Sequence, residues 1–468
     1  MQGCNYIFYT PEYQYPEMPH GEMCGDLMPY YHDGIYTFMF LYKYCIYAVD
    51  TADFVNYYNF RLILRNGTPE EQDWHAATGS VCKKDNLYYF YYTGFCEGNR
   101  NKKGKYEQAI LRAMSRDFIH WEKDRSFRFL PDTEHFAGRH WRDPYVFFNE
   151  EIQKYCMLVT ACEKNGAIQR SGCTAVYVSD DILCWKYYDT PLCSRIYPTQ
   201  ECQDYFRLGD RRYLIFSTYE KQWETRYRIS EKLEGPWAVP AFDDRLEGRD
   251  YYAAKTVSDG THRYLVGWQA IRKDCSNQGR YVWGGNVVVH ELIAREDGTL
   301  GTIMPKMIRE EFTDLIADNA GIIVTSQDGF LCSNMFRMEN VSLIHAVLRW
   351  EEGTYTAGIM FHVNGEHMEN WCQLRLELTH GKIVLEHSGK TELDQFFEEE
   401  RPVQFRGNEA DISILTSNDT IIIYVNDTAL SGRCYGMEPG MAGVFAEFGK
   451  VEAEAFQVFR GKQQNYVH

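Results

Sequence analysis

Three acidic side chains, Asp26, Asp143 and Glu201, are the residues of this chain whose types and settings could carry out hydrolytic chemistry. Asp143 follows Arg142 and precedes Pro144, directly ahead of a short apolar run that is typical of a buried strand. Because proline restricts the residue before it, we expect Asp143 to be extended and its carboxylate to be held rigidly. Taken alone, the motif could equally be a buried Asp–Arg pair that only fixes a loop.

Two series of residues recur along the first 300 positions and indicate repeated structural units. Asp53, Asp117 and Asp181 each begin a pattern of acid, apolar pair, polar or small residue and aromatic, at a spacing of 64 residues. Landmarks beside strand-like runs follow at intervals of 51 to 63 residues: Asp26, Ser80, Asp143, Glu201 and Tyr252. A repeat of this length fits the four strands of a β-propeller blade, so five landmarks predict five blades. The alternative is a large β-sandwich with chance spacing.

The second part of the chain alternates apolar and polar residues with period two, which is typical of antiparallel strands. A chain of 468 residues is also too long for one compact core. We therefore predict an all-β protein with a five-bladed β-propeller catalytic domain at 1–305 and a C-terminal β-sandwich at 315–468.

Composition limits the partners and the compartment. The net charge of −17 argues against nucleic acid or an anionic membrane as a partner and suits a neutral ligand. The 15 scattered cysteines are typical of free thiols in a reducing compartment. With no signal peptide and no bilayer-spanning run recognisable, we expect the cytoplasm, although a chain that had lost its signal peptide would look the same. Homo-oligomerisation stays open.

The propeller hypothesis gives the scattered acids a common location. Inner strands of a propeller converge on a central channel, so Asp26, Asp143 and Glu201 would face one funnel. Three carboxylates in one pocket repel each other, and at least one should have a raised pKa. An acid and a base that differ in this way are what glycoside cleavage requires.

These segments together resemble glycoside hydrolase family 32, the β-fructofuranosidase, inulinase and levanase group. Arg142-Asp143-Pro144 and Glu201-Cys202 are similar to the Arg-Asp-Pro and Glu-Cys motifs of that family. Residues 77–81 are similar to its aromatic-Ser-Gly-Ser segment, and residues 250–256 with Gly267-Trp268 are similar to its fifth-blade segment.

The resemblance implies a retaining hydrolase of β-fructofuranosides or a related small fructose-containing oligosaccharide. Asp26 would be the nucleophile, and Glu201 would protonate the leaving oxygen and then activate water. Asp143 would stabilise the oxocarbenium-like transition state, with Arg142 steadying the carboxylates. Nucleophile and acid lie ~5–5.5 Å apart in such enzymes. No metal and no organic cofactor is required.

The sugar-holding residues depart from the family pattern. The Asn that precedes the nucleophile and would contact the sugar is Gly25, a Gln after the next strand is Lys43, and the Pro after Glu-Cys is Gln203. Lys43 could accept an anionic sugar or neutralise the carboxylates. The residues we predict to bind substrate are Arg142, Lys43, Trp74, Ser80, Tyr252 and Trp268. For each tryptophan, core packing is the alternative to stacking on sugar.

Three other functions remain open from the sequence. One is an inverting arabinosidase or xylosidase built on a related five-bladed propeller. Another is fructosyl transfer in place of hydrolysis. The last is a sugar-binding protein whose catalytic site has decayed.

Overall fold

The computed structural model describes residues 4–5, 24–99, 106–192, 194–219, 222–388 and 397–461. Apart from residues 4–5, the N-terminal stretch considered for a signal peptide lies outside these ranges, as does residue 23, three positions before Asp26. Within the described part of the chain, helices are too short or too polar to cross a bilayer. The structure is otherwise almost entirely β.

Five antiparallel sheets of consecutive strands form the first part of the molecule, so the five-bladed propeller is confirmed. The first sheet contains β1 (Cys4–Asn5), β2 (Gly25–His32), β3 (Ile35–Tyr42), β4 (Cys45–Thr51) and β5 (Asn56–Leu64). The second contains β6 (His75–Lys84), β7 (Leu87–Phe95), β8 (Gln108–Ser115) and β9 (Glu122–Lys123), with a 3₁₀ turn at Glu97–Asn99. The third contains β10 (Arg142–Asn149), β11 (Lys154–Cys162), β12 (Gly172–Ser179) and β13 (Lys186–Leu192), with a 3₁₀ turn at Ile168–Arg170.

The remaining two blades complete the ring. The fourth contains β14 (Glu201–Leu208), β15 (Arg211–Thr218) and β16 (Glu224–Ser230). The fifth contains β17 (Tyr251–Ser258), β18 (Arg263–Arg272), β19 (Tyr281–Ala294) and β20 (Leu300–Ile303), with a 3₁₀ turn at Lys273–Cys275. The first strands of successive blades (β2, β6, β10, β14 and β17) are neighbours around the axis.

The seam between the first and last blades is closed by the chain just before β2. The N–H of Gly285 donates to the carbonyl of Cys24 over 2.9 Å, and the Cys24 thiol donates back to the Gly285 carbonyl over 3.1 Å. β17 packs against β2 on the inner side of this seam. The seam therefore lies one residue away from β2 and two residues away from Asp26.

The repeat that begins at Asp53, Asp117 and Asp181 is a turn and not a functional motif. In each copy a carboxylate oxygen accepts the N–H groups two and three residues later, as at Ile119 and His120 over 2.9 and 2.8 Å. Each such turn follows the third strand of a blade or its equivalent and directs the chain toward the outer strand. The 64-residue spacing therefore measures the length of one blade.

Each inner strand carries a β-bulge near its first residue, and this irregularity shapes the site. In four blades two residues of the inner strand oppose one residue of its neighbour. The first residue of the bulge has a positive φ in every case: Asp26 (49°), Asp143 (55°), Cys202 (53°) and Ala253 (50°). The expectation of an extended Asp143 is thus wrong, because the bulge and not Pro144 sets its backbone. Such a conformation costs a non-glycine residue on the order of 1 kcal/mol and is found at functional sites.

A short helix α1 (Lys306–Arg309) connects the propeller to the C-terminal sheets. The C-terminal strands are β21 (Asp314–Asn319), β22 (Ile322–Cys332), β23 (Phe336–Met338), β24 (Ser342–Trp350), β25 (Thr356–Asn364), β26 (Asn370–Glu377), β27 (Lys382–His387), β28 (Phe397–Pro402), β29 (Glu409–Ser417), β30 (Thr420–Val425), β31 (Thr428–Arg433) and β32 (Gly440–Arg460). β32 pairs with both β25 and β24 and so joins two layers around an apolar interior, which confirms the predicted β-sandwich.

A buried arginine of the sandwich, Arg433, forms hydrogen bonds with the last blade. Arg433 is almost inaccessible and donates to the carbonyls of Gln269 and Ala270 on β18 and to the side chain of Asn286 on β19. An apolar cluster continues across the same boundary, with Leu343 and Leu415 of the sandwich packed among propeller residues. The sandwich therefore supports the blade that supplies Tyr252 and Trp268.

Candidate active site

The three predicted acids meet at one end of the propeller through a continuous chain of contacts. Asp26 accepts a hydrogen bond from the indole of Trp268, whose ring lies 5.6 Å from that of Tyr252. The Tyr252 hydroxyl donates to Glu201, and Glu201 is bound by Arg142. All residues in this series of contacts except Trp268 lie on the first strand of a blade, at or just before the bulge.

The hydrogen-bond donors to Asp26 are uncharged groups. Within the described residues, the groups that donate to its carboxylate are the Thr78 hydroxyl at 2.6 Å and the Trp268 indole N–H at 3.3 Å. Burial raises the pKa of Asp26 to about 6, the Thr78 hydrogen bond lowers it, and the charges of Asp143 and Glu201 raise it further. Asp26 is therefore ionised at neutral pH but titrates well above an ordinary aspartate.

Glu201 is held at both oxygens. Arg142 donates to Oε1 from Nε (3.2 Å) and Nη2 (2.5 Å), while the Tyr252 hydroxyl donates to Oε2 over 2.5 Å. Burial works against the charge of Arg142, but the Glu201 and Asp143 carboxylates more than compensate and leave the pKa of Arg142 raised. Arg142 also donates to His140 Nδ1 over 2.7 Å, and burial with this cation lowers the pKa of His140 to about 4.

Asp143 is the most enclosed of the three acids. Its Oδ2 accepts the Cys202 N–H at 3.1 Å and the Thr160 hydroxyl at 3.2 Å, and it lies 3.7 Å from Arg142 Nε. Burial raises the pKa of Asp143, the Arg142 cation opposes this rise, and the Glu201 charge adds to it. A carboxylate fixed by backbone and hydroxyl donors can orient a ligand but has little freedom to move.

Thr78 is a site residue that sequence reasoning missed. It occupies the bulge position of β6, where the register with β7 shifts between Ala77 and Gly79. Its position within the segment 77–81 was the available signal, but Ser80 of the same segment was chosen instead.

Replacing Thr78 by Val should move the acid limb of the kcat/KM profile upward. The variant loses the hydrogen bond that lowers the pKa of Asp26, so the midpoint of Asp26 protonation moves above pH 6. We expect a shift of up to about one pH unit, with activity near pH 6 falling more than activity at pH 8. The measurement is a pH profile between 4.5 and 9. Thr225→Val, which removes a buried hydroxyl of the fourth blade that contacts Ser217, should leave the limb in place.

Ser80 is placed between two blades and not against the acids. Its hydroxyl donates to the carbonyl of Pro144 and accepts the N–H of Val146, both over 2.9 Å. Both partners belong to β10, so Ser80 links the second blade to the third. Its predicted contact with sugar stays a prediction.

Replacing Ser80 by Ala should therefore weaken the fold and not substrate binding. Two buried backbone groups lose their partner, which costs about 1–3 kcal/mol of the free energy of unfolding. Urea denaturation measures this loss, and KM for the substrate should be unchanged. An increased KM at unchanged stability would instead support the role of Ser80 in sugar binding.

Lys43 and Trp74 lie at the same end of the propeller as the acids but at its surface. Lys43 occupies the tight turn between β3 and β4, is exposed, and has its ammonium 5.2 Å from the Tyr42 ring. The neighbouring Tyr44 stacks on His75 at 4.0 Å, and Trp74 lies 4.7 Å from the same imidazole. Lys43 and Trp74 thus share the end of the propeller with the acids, and their role in binding substrate stays a prediction.

Tyr252 and Trp268 are buried. The Trp268 side chain has an exposed fraction of 0% and Tyr252 of 5%, so both orient carboxylates more than they offer a surface. Trp223 packs against both rings, at 5.3 Å from Trp268 and 5.9 Å from Tyr252. The site thus combines Asp26, which is bound by uncharged donors, Glu201, which is bound by an arginine, and a cluster of aromatic rings. This combination suits cleavage of a glycosidic bond.

Comparison with known proteins identifies the family of this chain. The model of the glycosyl hydrolases family 32 N-terminal domain matches residues 29–300. A sucrose-6-phosphate hydrolase of Escherichia coli is 25% identical over 53% of this chain and 53% of its own length. A sucrose-6-phosphate hydrolase of Zymomonas mobilis is 23% identical over 72% of this chain and 67% of its own length. The chain thus matches about half of the first relative and about two thirds of the second.

The structural comparison shows the same architecture over nearly the whole molecule. An exo-inulinase of Aspergillus awamori superimposes with a TM-score of 0.76 over 96% of this chain and 97% of that chain, at 14% identity. Such a likeness concerns the fold, while the match of the family model covers more than half of the sequence and includes both acid motifs. This chain is a member of glycoside hydrolase family 32.

Proposed function

We propose that this protein is a retaining glycoside hydrolase that cleaves β-fructofuranosides or a related small fructose-containing oligosaccharide. The observation that carries the proposal is the contrast between two carboxylates at one funnel end. Asp26 is held by neutral donors, as suits a nucleophile, while Glu201 is held by a cation and a phenol. Family membership and the sucrose-6-phosphate hydrolase relatives support the same class of substrate.

In the proposed reaction Asp26 attacks the anomeric carbon while Glu201 protonates the leaving oxygen. The glycosyl–enzyme ester is then hydrolysed by water that Glu201 deprotonates, so the configuration is retained. Asp143 contacts the sugar and stabilises the positive charge of the transition state, and Arg142 keeps two carboxylates close together at tolerable electrostatic cost. Besides water, these steps use only side chains of this chain.

The test is a screen of the full chain against sucrose, sucrose 6-phosphate, inulin, levan, difructose anhydrides and aryl pentosides. NMR of the first product molecules, taken before mutarotation, should show fructose with retained configuration. Release of the inverted anomer would exclude a covalent intermediate on Asp26. Longer or cyclised sugars at high substrate would indicate transfer, and no turnover on any glycan would indicate a decayed site.

Lys43 and Trp74 are proposed to act at the rim of the funnel on the part of the substrate beyond the cleaved bond. The exposed ammonium of Lys43 is available to an anionic group, which the neutralising role considered above would not require. Comparing KM for sucrose and its 6-phosphate in wild type and Lys43→Ala separates these roles. Only a contact with the phosphate changes the ratio of the two KM values.

We also propose the cytoplasm as the compartment. Cys24, Cys82 and Cys156 are buried, and burial raises the pKa of each thiol to about 12, which keeps them protonated and unreactive. Such thiols are typical of reducing compartments. Fractionation of the native cells with an antibody against the chain tests this assignment.

A further inference from the structure

The space that a side chain at position 25 would need is occupied by the indole of Trp283. A Cβ built on Gly25 would lie 2.5 Å from Cζ2 of Trp283, and two more indole carbons lie within 3.0 Å. Real Cβ atoms do not approach other atoms so closely, so the indole rests directly on the Gly25 backbone. A side chain at position 25 and the indole of Trp283 would therefore compete for one volume.

A bulge in the fifth blade directs Trp283 to this position. The register between β18 and β19 shifts between Ala270 and Ile271, so Trp283 and Gly284 have no paired residue on β18. Gly284 has a φ of 86°, and a Cβ on Gly285 would lie 1.7 Å from the Gln269 carbonyl oxygen, so both positions require glycine. Gly284-Gly285, too short to bind phosphate, thus has a role in aiming an indole.

About half of the Trp283 side chain is exposed, whereas a tryptophan packed in a core is covered. Its exposed fraction is 47%, although its ring lies 6.0 Å from the fully buried Trp268, whose N–H binds Asp26. An indole that borders the nucleophile and still faces solvent offers a flat apolar surface to a ligand at that point. The C–H surface of a sugar ring fits such a surface.

We propose that Trp283 is a specificity-determining residue that packs against the sugar unit held over Asp26, in the volume that a side chain at position 25 would otherwise fill. This inference rests on the proposed function, since it names the contact that binds the fructosyl unit. A carboxamide at position 25 would recognise hydroxyl groups by hydrogen bonds, whereas the indole face recognises the apolar surface of the ring. Selectivity on this side of the sugar therefore depends on shape.

The first test compares Trp283→Ala and Trp283→Phe with Phe330→Ala, a control of similar exposure (48%) on the sandwich. Trp283→Ala should raise KM about tenfold with a smaller change in kcat, Trp283→Phe should recover most of the loss, and the control should change neither. The rise in KM should be equal for sucrose, sucrose 6-phosphate and inulin, which share the fructosyl unit. Unequal rises, or no rise, would overturn the assignment.

The second test is a double-mutant cycle between positions 25 and 283. Gly25→Asn alone should displace the indole and raise KM, whereas Gly25→Asn in the Trp283→Ala background should lower it, because the cavity then accepts the side chain. Additive effects would contradict the shared volume. Calorimetric titration of fructose on the same four proteins keeps the two proposals apart. Weakened binding in Trp283→Ala supports the contact even if no fructoside is hydrolysed, and unchanged binding with intact hydrolysis refutes it alone.

Discussion

Asp26→Asn should lower kcat by about 10⁴-fold or more while it makes the folded protein more stable at neutral pH. The amide cannot attack the anomeric carbon, so turnover falls as for the loss of any nucleophile. The folded-state pKa of about 6 exceeds the ordinary value of 3.8. The contribution of this carboxyl to stability is therefore complete below about pH 4 and is lost as the pH rises through 6.

Because the amide does not titrate, the variant avoids this loss. We expect a free energy of unfolding at pH 7.5 that is about 1–3 kcal/mol higher than in wild type, and a smaller difference at pH 4. Thermal unfolding at the two pH values measures both.

Asp181→Asn provides a control of opposite sign. The N–H groups of Cys184 and Leu183 lower the pKa of the exposed Asp181 to about 2, so its stabilising effect is present at neutral pH and is lost on acidification. That variant should keep full activity and lose stability at pH 7.5. A normal turnover in Asp26→Asn would contradict the role of Asp26 as nucleophile.

Arg142→Met should lower both activity and stability, because it leaves two neighbouring carboxylates without their counter-charge. Removal of one partner of a buried ion pair costs about 3–5 kcal/mol. We expect kcat/KM to fall by about 10²–10⁴-fold. The acid limb of the pH profile should also move upward, because the uncompensated charges of Glu201 and Asp143 then raise the pKa of Asp26 further. Urea denaturation and a pH profile measure the two effects.

Arg142→Lys should be intermediate, since an ammonium restores the charge but not the two contacts with one oxygen. Arg112→Met is the matched control: Arg112 is a buried arginine that pairs with Asp124 in the second blade. It should lose stability to a similar degree but keep the acid limb unchanged. An equal shift of the limb in both variants would mean that Arg142 acts on the fold alone.

The sequence was sufficient for the architecture because its repeats measure structural units. Asp53, Asp117 and Asp181 keep one spacing since each caps the same turn, and the strand-like runs between them have the period of antiparallel sheets. The sequence also singled out the three acids that the structure brings together, because Asp143 and Glu201 sit in the Arg-Asp-Pro and Glu-Cys motifs; their catalytic roles stay predictions.

The sequence was less informative about which side chain of each motif faces the funnel. Asp26 and Asp143 occupy the bulge itself, whereas Glu201 precedes it, so the landmarks are not strictly equivalent positions. A bulge shifts the alternation of a strand by one residue, and no pattern of polar and apolar residues reveals where it lies. The same shift explains why Ser80 was chosen and Thr78 was missed.

Trp283 could not be inferred from the chain because its partner is 258 positions away and is a glycine. A missing side chain at Gly25 appears in the sequence only as a departure from the family motif. The pair Gly284-Gly285 within a strand-like run was the one available signal, since such glycines mark bulges or close backbone approach.

The way in which the ring of blades closes affects how the protein loses activity on warming. The first and last blades do not share a sheet, and beside the nucleophile the bonds between Cys24 and Gly285 add to the packing of β17 against β2. We expect warming to open this seam before any blade melts, which would separate Asp26 from Trp283. Loss of catalysis should therefore precede loss of β-structure on warming, and an agent that tightens this seam would protect activity more than it raises the melting temperature.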